Sequence, residues 1–396
     1  MSHPTARLVG LDVARCLALL GMVAAHVLDA RDAEGHLTWH RWLVEGRASA
    51  LFAVLAGVSL ALMSRRTNAA GLAVRALLVA LVGLALGELD TGLAVILTYY
   101  GLLFLLGLPF LRLRARSLFA CAAGWVLAGP VVSQLLRPHL PVRGAASPAF
   151  DQLAHPLRLL SELLLTGYYP CLTWLAYLLL GLAIGRCDLR SRSVHTGLVL
   201  GALAAAVLTF VVSRALTEQA WVLRRLLPDA GAYGDVSTAD AFVDAISGGM
   251  HGTTPAGGSW AWLLVVAPHS GTPFDLAHTG GSAALVIGLC LALVARLPAP
   301  SARAAAMAFG AGTATLSLYS LHVVMRTEPV WPDEVPASFG RHVLVLVALG
   351  AVLVAARRRG PLEAVVSTAS AAVSRWTTAR HDPGCEDPTE ASQPGR

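Results

Sequence analysis

Three ionisable side chains interrupt an apolar run near the start of the chain. In LDVARCLALLGMVAAHV (residues 11–27), Asp12, Arg15 and His26 stand among side chains otherwise fit to cross hydrocarbon. On a helix turning about 100° per residue, Arg15 and His26 fall within about 20° of each other and about 16 Å apart along the axis. Asp12 lies on the same side, one turn before Arg15. A charge inside a spanning helix costs several kcal/mol unless it faces a bundle interior or a wet cavity. The planar fork of an arginine suits a phosphate-bearing ligand, and an imidazole exchanges its proton near neutrality. Together they point to a watery cavity through the bilayer, with an anion held at one end and proton chemistry at the other. A second imidazole, His36, stands in the polar loop that follows. The competing structural reading makes Asp12 and Arg15 an i,i+3 ion pair, leaves His26 at the interface and His36 in solvent.

The rest of the chain supplies elements that would position these groups in a membrane. With 396 residues, a mean hydropathy of +0.63 and only 14% charged residues, it is too apolar for an ordinary soluble domain. Ten apolar runs read as spans: residues 11–28, 49–63, 72–86, 93–111, 118–136, 169–185, 194–216, 282–297, 304–324 and 343–356. Every cation is an arginine, and the arginines alternate sharply between loops. Arg65 and Arg66 follow the second span, Arg112, Arg114 and Arg116 the fourth, Arg186, Arg190 and Arg192 the sixth, and Arg357, Arg358 and Arg359 the last. The hairpin GELDTG (residues 87–92) has none, so the positive-inside rule predicts that both termini are cytoplasmic. The net charge of +6 is thereby accounted for without a nucleic-acid partner. Asp12 and Arg15 argue against reading the first run as a cleaved signal peptide.

Histidines sort the opposite way: ten of thirteen fall in or near outward-facing segments, which places the proton chemistry toward the outer face. Three outer loops are long, residues 29–47, 137–168 and 217–279, and the third is rich in Gly, Trp and His. Its Trp221, Trp260 and Trp262 read as interface anchors. His269, Asp275 and His278 do not match a metal-ligand spacing, and the scattered cysteines form neither a zinc motif nor a disulfide framework, so no metal is expected. His322, ending the ninth span, would face the outer vestibule as a structural group.

Several stretches resemble known families. The run from Leu11 through Asp12 and Arg15 to His26 is similar to the opening helix of the acyltransferase-3 family, in which a membrane-embedded Arg and His at this separation are required. HLTW (residues 36–39) followed by FAVLAG (52–57) resembles the heparan-α-glucosaminide N-acetyltransferase family, whose catalytic histidine lies in such a loop; the carry-over falls on His36. Where that family's opening helix ends in Asn this chain has His26, and the nearest carboxylate before the second span is Glu45. GRASALFAVLAGVSLAL (46–62), YYPCLTWLAYLLLGLAIGRCDL (168–189), LSLYSLHV (316–323) and RRGPLEAV (358–365) fit the family's YeiB-like bacterial branch.

The resemblance implies an all-α polytopic membrane protein of about ten transmembrane helices, in the plasma membrane. Residues 1–370 would form a transmembrane acyltransferase domain, and residues 371–396, polar and Pro-rich after Trp376, a disordered cytoplasmic tail. It further implies transfer of an acetyl group from cytosolic acetyl-CoA, the acyl donor, to an amine or hydroxyl of a sugar-like acceptor outside. His26 or His36 would be catalytic, and Arg15, Asp12 and Arg186 would serve the donor. A homodimer is compatible with this reading. The rival reading is a proton-coupled transporter, which also places such groups inside spans but is expected to pair Gly/Pro-broken helices in its two halves.

Overall fold

Long apolar runs close their own backbone hydrogen bonds as helices, the form lipid permits. The computed structural model describes residues 8–89, 91–144, 147–233, 238–328, 330 and 338–379. Its α-helices are α1 (Val9–Val27), α2 (Trp39–Val44), α3 (Arg47–Met63), α4 (Ala69–Gly87), α5 (Leu97–Gly107), α6 (Ala115–Leu136), α7 (Pro156–Ser161) and α8 (Cys171–Arg186). They continue as α9 (Arg192–Thr217), α10 (Ala220–Leu226), α11 (Ala239–Ser247), α12 (Pro273–Val294), α13 (Ala299–Ala308), α14 (Thr315–Met325), α15 (Ser338–Ala355) and α16 (Pro361–Ala379). The chain is thus an all-α, multi-pass membrane protein.

Each of the ten apolar runs lies on helix, but not each as one straight span. Among the described residues seven helical segments are long and apolar enough to cross a bilayer, and an eighth arises if α7 and α8, bent by 57° at their junction, count as one. The segment Leu97–Arg112 and α14 are shorter. The run 304–324, expected as a single span, is broken between α13 and α14 by a 3-10 turn, Gly310–Thr313. The reason is close approach: a methyl at Gly312 would overlap the Asp12 carbonyl of α1, and one at Gly310 that of Gly350 on α15. Two helix backbones therefore meet the break directly.

α1, α3 and α8 form the buried centre, whereas α9 and α15 expose leucines such as Leu200, Leu208 and Leu344 on faces suited to lipid. α3 and α8 touch backbone to backbone where Gly57 faces Gly181, the small-residue contact that substitutes for hydrophobic driving force inside a membrane. Two features depart from the sequence reading. Residues 371–379, expected as disordered tail, continue α16, which docks on α4: Ser370 Oγ donates to the Gly71 carbonyl at 2.7 Å and Asn68 Nδ2 to Thr377 Oγ1 at 2.8 Å. Residues 380–396 lie outside the described residues. The third long loop, residues 217–279, is also no open coil. α10, α11 and the segment around Trp262 enclose a second apolar core, and Trp262, expected at the interface, is fully buried there with its Nε1 donating to Asp229. Trp221 and Trp260 are exposed.

Candidate active site

The first helix presents its polar face to protein, not to lipid. Arg15 Nη1 donates to Asp12 Oδ1 and its Nη2 to Ser59 Oγ of α3, both at 2.9 Å. Eleven residues on, His26 Nδ1 stands 3.0 Å from Nε2 of His322 on α14, the rings stacked with centroids 5.3 Å apart. His322 Nδ1 is in turn 3.2 Å from Nδ1 of His342 on α15. Three helices distant in sequence thus contribute a row of imidazoles, of which His322 and His342 are fully buried.

His26 lines a cavity of about 810 Å³ at the C-terminal end of α1. A second wall is built around Glu45, between α2 and α3. Arg41, one helical turn earlier, pairs with it at 3.1 Å and also donates to the Ala25 carbonyl at 2.8 Å, tying this wall to the residue before His26. The folded segment between α9 and α12 adds His251 and His269, and His269 Nε2 lies 3.6 Å from Glu45 Oε1. Burial first, then the Arg41 guanidinium, push the His269 pKa down to about 3, so the imidazole is neutral and this contact is not an ion pair. His251 is shifted the same way by burial, with Arg143 and Arg41 adding to it. A third wall comes from the bend between α7 and α8. There a π-helical turn, Glu162–Thr166, directs Glu162, Tyr168 and Tyr169 to the cavity. Arg31, on the loop after α1, pairs with Asp244 of α11 at 2.7 Å.

Arg15 lines a separate, smaller cavity of about 90 Å³ together with Arg75 of α4 and Ser59. The continuous passage expected along α1 is therefore divided. Ser49 lines the large cavity and Phe52, one turn along α3, the small one. Between them Phe52 stacks on Tyr100 at 5.6 Å and meets Tyr319 at 6.5 Å, and Tyr100 Oη donates to the Ser49 carbonyl.

The residues singled out in the sequence are thus only partly brought together. Asp12 pairs with Arg15, which lines the small cavity, and His26 lines the large one. His36 lines neither: its side chain is 80% exposed on the loop between α1 and α2, and its Nδ1 is 3.8 Å from Asp32. Arg186 ends α8, where its Nη2 donates to Ser64 Oγ at 3.1 Å and to the Leu111 carbonyl, away from the Arg15 cavity. His278 pairs with Arg47 and the Ala206 carbonyl, whereas Asp275 accepts from the Gly271 amide, so the outer trio with His269 is dispersed. Two cavity residues have no such role in the sequence reading. Arg75 carries the signal used for Arg15, a charge inside an apolar run. His269 figures there only in a rejected metal trio, because nothing local links residue 269 to residue 45.

A family model described as heparan-alpha-glucosaminide N-acetyltransferase, catalytic, matches residues 7–218, from the start of the chain to the end of α9. Among curated proteins none matches the chain.

Proposed function

The chain belongs to the heparan-alpha-glucosaminide N-acetyltransferase catalytic family, a family of membrane acetyltransferases, and from that premise we propose that it moves an acetyl group from cytosolic acetyl-CoA to an amine or hydroxyl of a sugar-like acceptor on the far side of the plasma membrane. The observation that carries the reading is the placement of Arg15 and His26 on one helix, in two cavities stacked along α3. Both termini are cytoplasmic in this proposal, which puts the Arg15 cavity toward the donor and the His26 cavity toward the acceptor.

Arg15 and Arg75 hold the phosphate-bearing donor, and its flexible arm spans the about 16 Å to His26 by parting the Phe52, Tyr100 and Tyr319 rings. The acceptor's nitrogen or oxygen attacks the thioester carbonyl carbon; the new C–N or C–O bond forms as the C–S bond breaks. His26 Nε2 takes the proton of the attacking group. Its Nδ1 proton then passes to His322 Nε2, and that of His322 to His342 Nδ1, along contacts of 3.0 and 3.2 Å. The proton held on this row returns through His26 Nε2 to the departing thiolate, so the thiol leaves neutral and the three imidazoles end as they began. His36, out in solvent, has no part in this scheme.

The test is incubation of the purified protein with labelled acetyl-CoA and amino sugars, in wild type and His26→Ala. Acetyl transfer lost in the variant supports the reading. A wild type that neither binds nor turns over acetyl-CoA overturns it in favour of the carrier reading.

A further inference from the structure

A structural histidine can use both ring nitrogens, as half-buried His278 does, with Nδ1 2.9 Å from the Ala206 carbonyl and Nε2 2.9 Å from Arg47. His269 is different. Its side chain is only 6% exposed, its Nε2 faces Glu45 beyond hydrogen-bond range, and its Nδ1 has no hydrogen-bond partner among the described residues. An unsatisfied polar atom so deeply buried is costly and rarely kept without a use.

Two further observations concern the same ring. His269 has φ +57°, one of two non-glycine residues with positive φ among the described residues. Such strain persists only where the surroundings over-determine it, and it gathers at sites that grip ligands. Those surroundings are aromatic: Trp174 stacks on the imidazole at 6.2 Å, and Tyr168 and Tyr169 meet it edge-on at 5.1 and 5.7 Å. Tyr168, Tyr169, Glu45 and His269 also line the large cavity. The ring is therefore clamped in one orientation, beside a cavity, with one lone pair unused.

We propose that His269 is an acceptor-binding residue whose Nδ1, covered by its neighbours in this structure, is uncovered as a hydroxylated ring enters the large cavity and then receives a hydrogen bond from one of its hydroxyls, while Glu45 flanks Nε2. The inference rests on the transferase reading and adds a contact from a loop beyond the family-matched region. A neutral imidazole lone pair accepts from a hydroxyl and repels a carboxylate or phosphate, so the subsite selects for uncharged hydroxyls at that point of the acceptor. His26, on the other wall, keeps the proton transfer.

The experiment uses the full chain in nanodiscs, with D-glucosamine as the probe. Glycine at 269 removes the ring without opposing the left-handed backbone, and asparagine both tolerates that backbone and offers its Oδ1 near the place of Nδ1. His269→Gly is expected to weaken glucosamine binding, measured calorimetrically without donor, by about tenfold or more. Acetyl-CoA binding should stay within about twofold of wild type, and His269→Asn should restore most of the glucosamine affinity. Equal glucosamine binding in wild type and His269→Gly overturns the proposal. So does a parallel loss of both ligands in His269→Gly and His269→Asn, which marks a structural residue, and so does a wild type that binds none of glucosamine, galactosamine and glucose. His269-dependent sugar binding by a protein that transfers no acetyl group would sink the transferase reading and leave this contact standing.

Discussion

The imidazole of His26 lies 3.0 Å from that of His322 although 296 residues separate them in the chain. That contact joins the first helix to the broken ninth apolar run and makes His26 the near end of a proton path rather than an isolated base. Replacing His26 by Ala is expected to lower acetyl transfer by about 10²-fold or more, the range of a lost general base. His322→Ala should cost less and shift the pH–rate profile, and His36→Ala should leave the rate within about twofold of wild type. Initial rates with labelled acetyl-CoA check all three. A dead His36→Ala beside an active His26→Ala would reverse the assignment.

Arg15 and Arg75 share the small cavity, so their loss should be felt by the donor. Arg15→Ala and Arg75→Ala are each expected to raise the KM for acetyl-CoA about tenfold while that for the acceptor moves little. Arg186→Ala, which removes bonds at the ends of α3 and α8, should lower thermal stability without that KM change. An acetyl-CoA KM that responds to Arg186 and ignores Arg75 would contradict the placement of the donor.

Phe52, Tyr100 and Tyr319 separate the two cavities. Truncating Phe52 to Ala should open the partition and let water reach the thioester, raising acceptor-independent hydrolysis of acetyl-CoA about tenfold, read as free thiol. Unchanged hydrolysis with unchanged transfer would mean that the rings do not guard the route.

The stability of the folded segment between α9 and α12 should depend on pH through His269. Its folded pKa, about 3, lies below the ordinary value of 6.5, so between these limits the unfolded chain binds the extra proton. The contribution is therefore complete above pH 6.5 and lost as pH falls toward 3, with a limiting slope of about 1.4 kcal/mol per pH unit. Melting curves from pH 8 to pH 4 should flatten in His269→Asn; identical slopes in the two proteins would refute the account.

Gly181 and Gly57 let α8 and α3 touch, and a methyl at Gly181 would overlap the Val54 carbonyl. Gly181→Ala is expected to destabilise the bundle by about 1–3 kcal/mol, whereas Gly197→Ala, on the open face of α9, should be neutral or slightly stabilising. Thermal denaturation in detergent distinguishes the two sites.

Much of the architecture was legible because it follows from local composition. A run of apolar residues must close its hydrogen bonds as helix wherever it sits in lipid, so all ten runs lie on helices. Where the reading missed, long-range contacts had decided. The run 304–324 carries no proline, and its break at Gly310–Thr313 exists because α1 and α15 press against it. Residues 371–379 are polar enough to pass for a tail, yet Asn68 and Gly71 of α4 hold them as helix. Trp262 looked like an interface anchor until α10 and α11 enclosed it.

By itself the sequence determined the class of the protein, its helical runs, its alternating arginines and the shared face of Asp12, Arg15 and His26, because hydropathy, charge and a 3.6-residue period act over one or two turns. Only the tertiary structure decided which imidazoles meet. It seated His26 against His322 and set His269 beside Glu45, while His36 was left in solvent. The physical reason is that a site in a helical bundle is assembled by packing between segments hundreds of residues apart, and no local pattern encodes which faces will be pressed together.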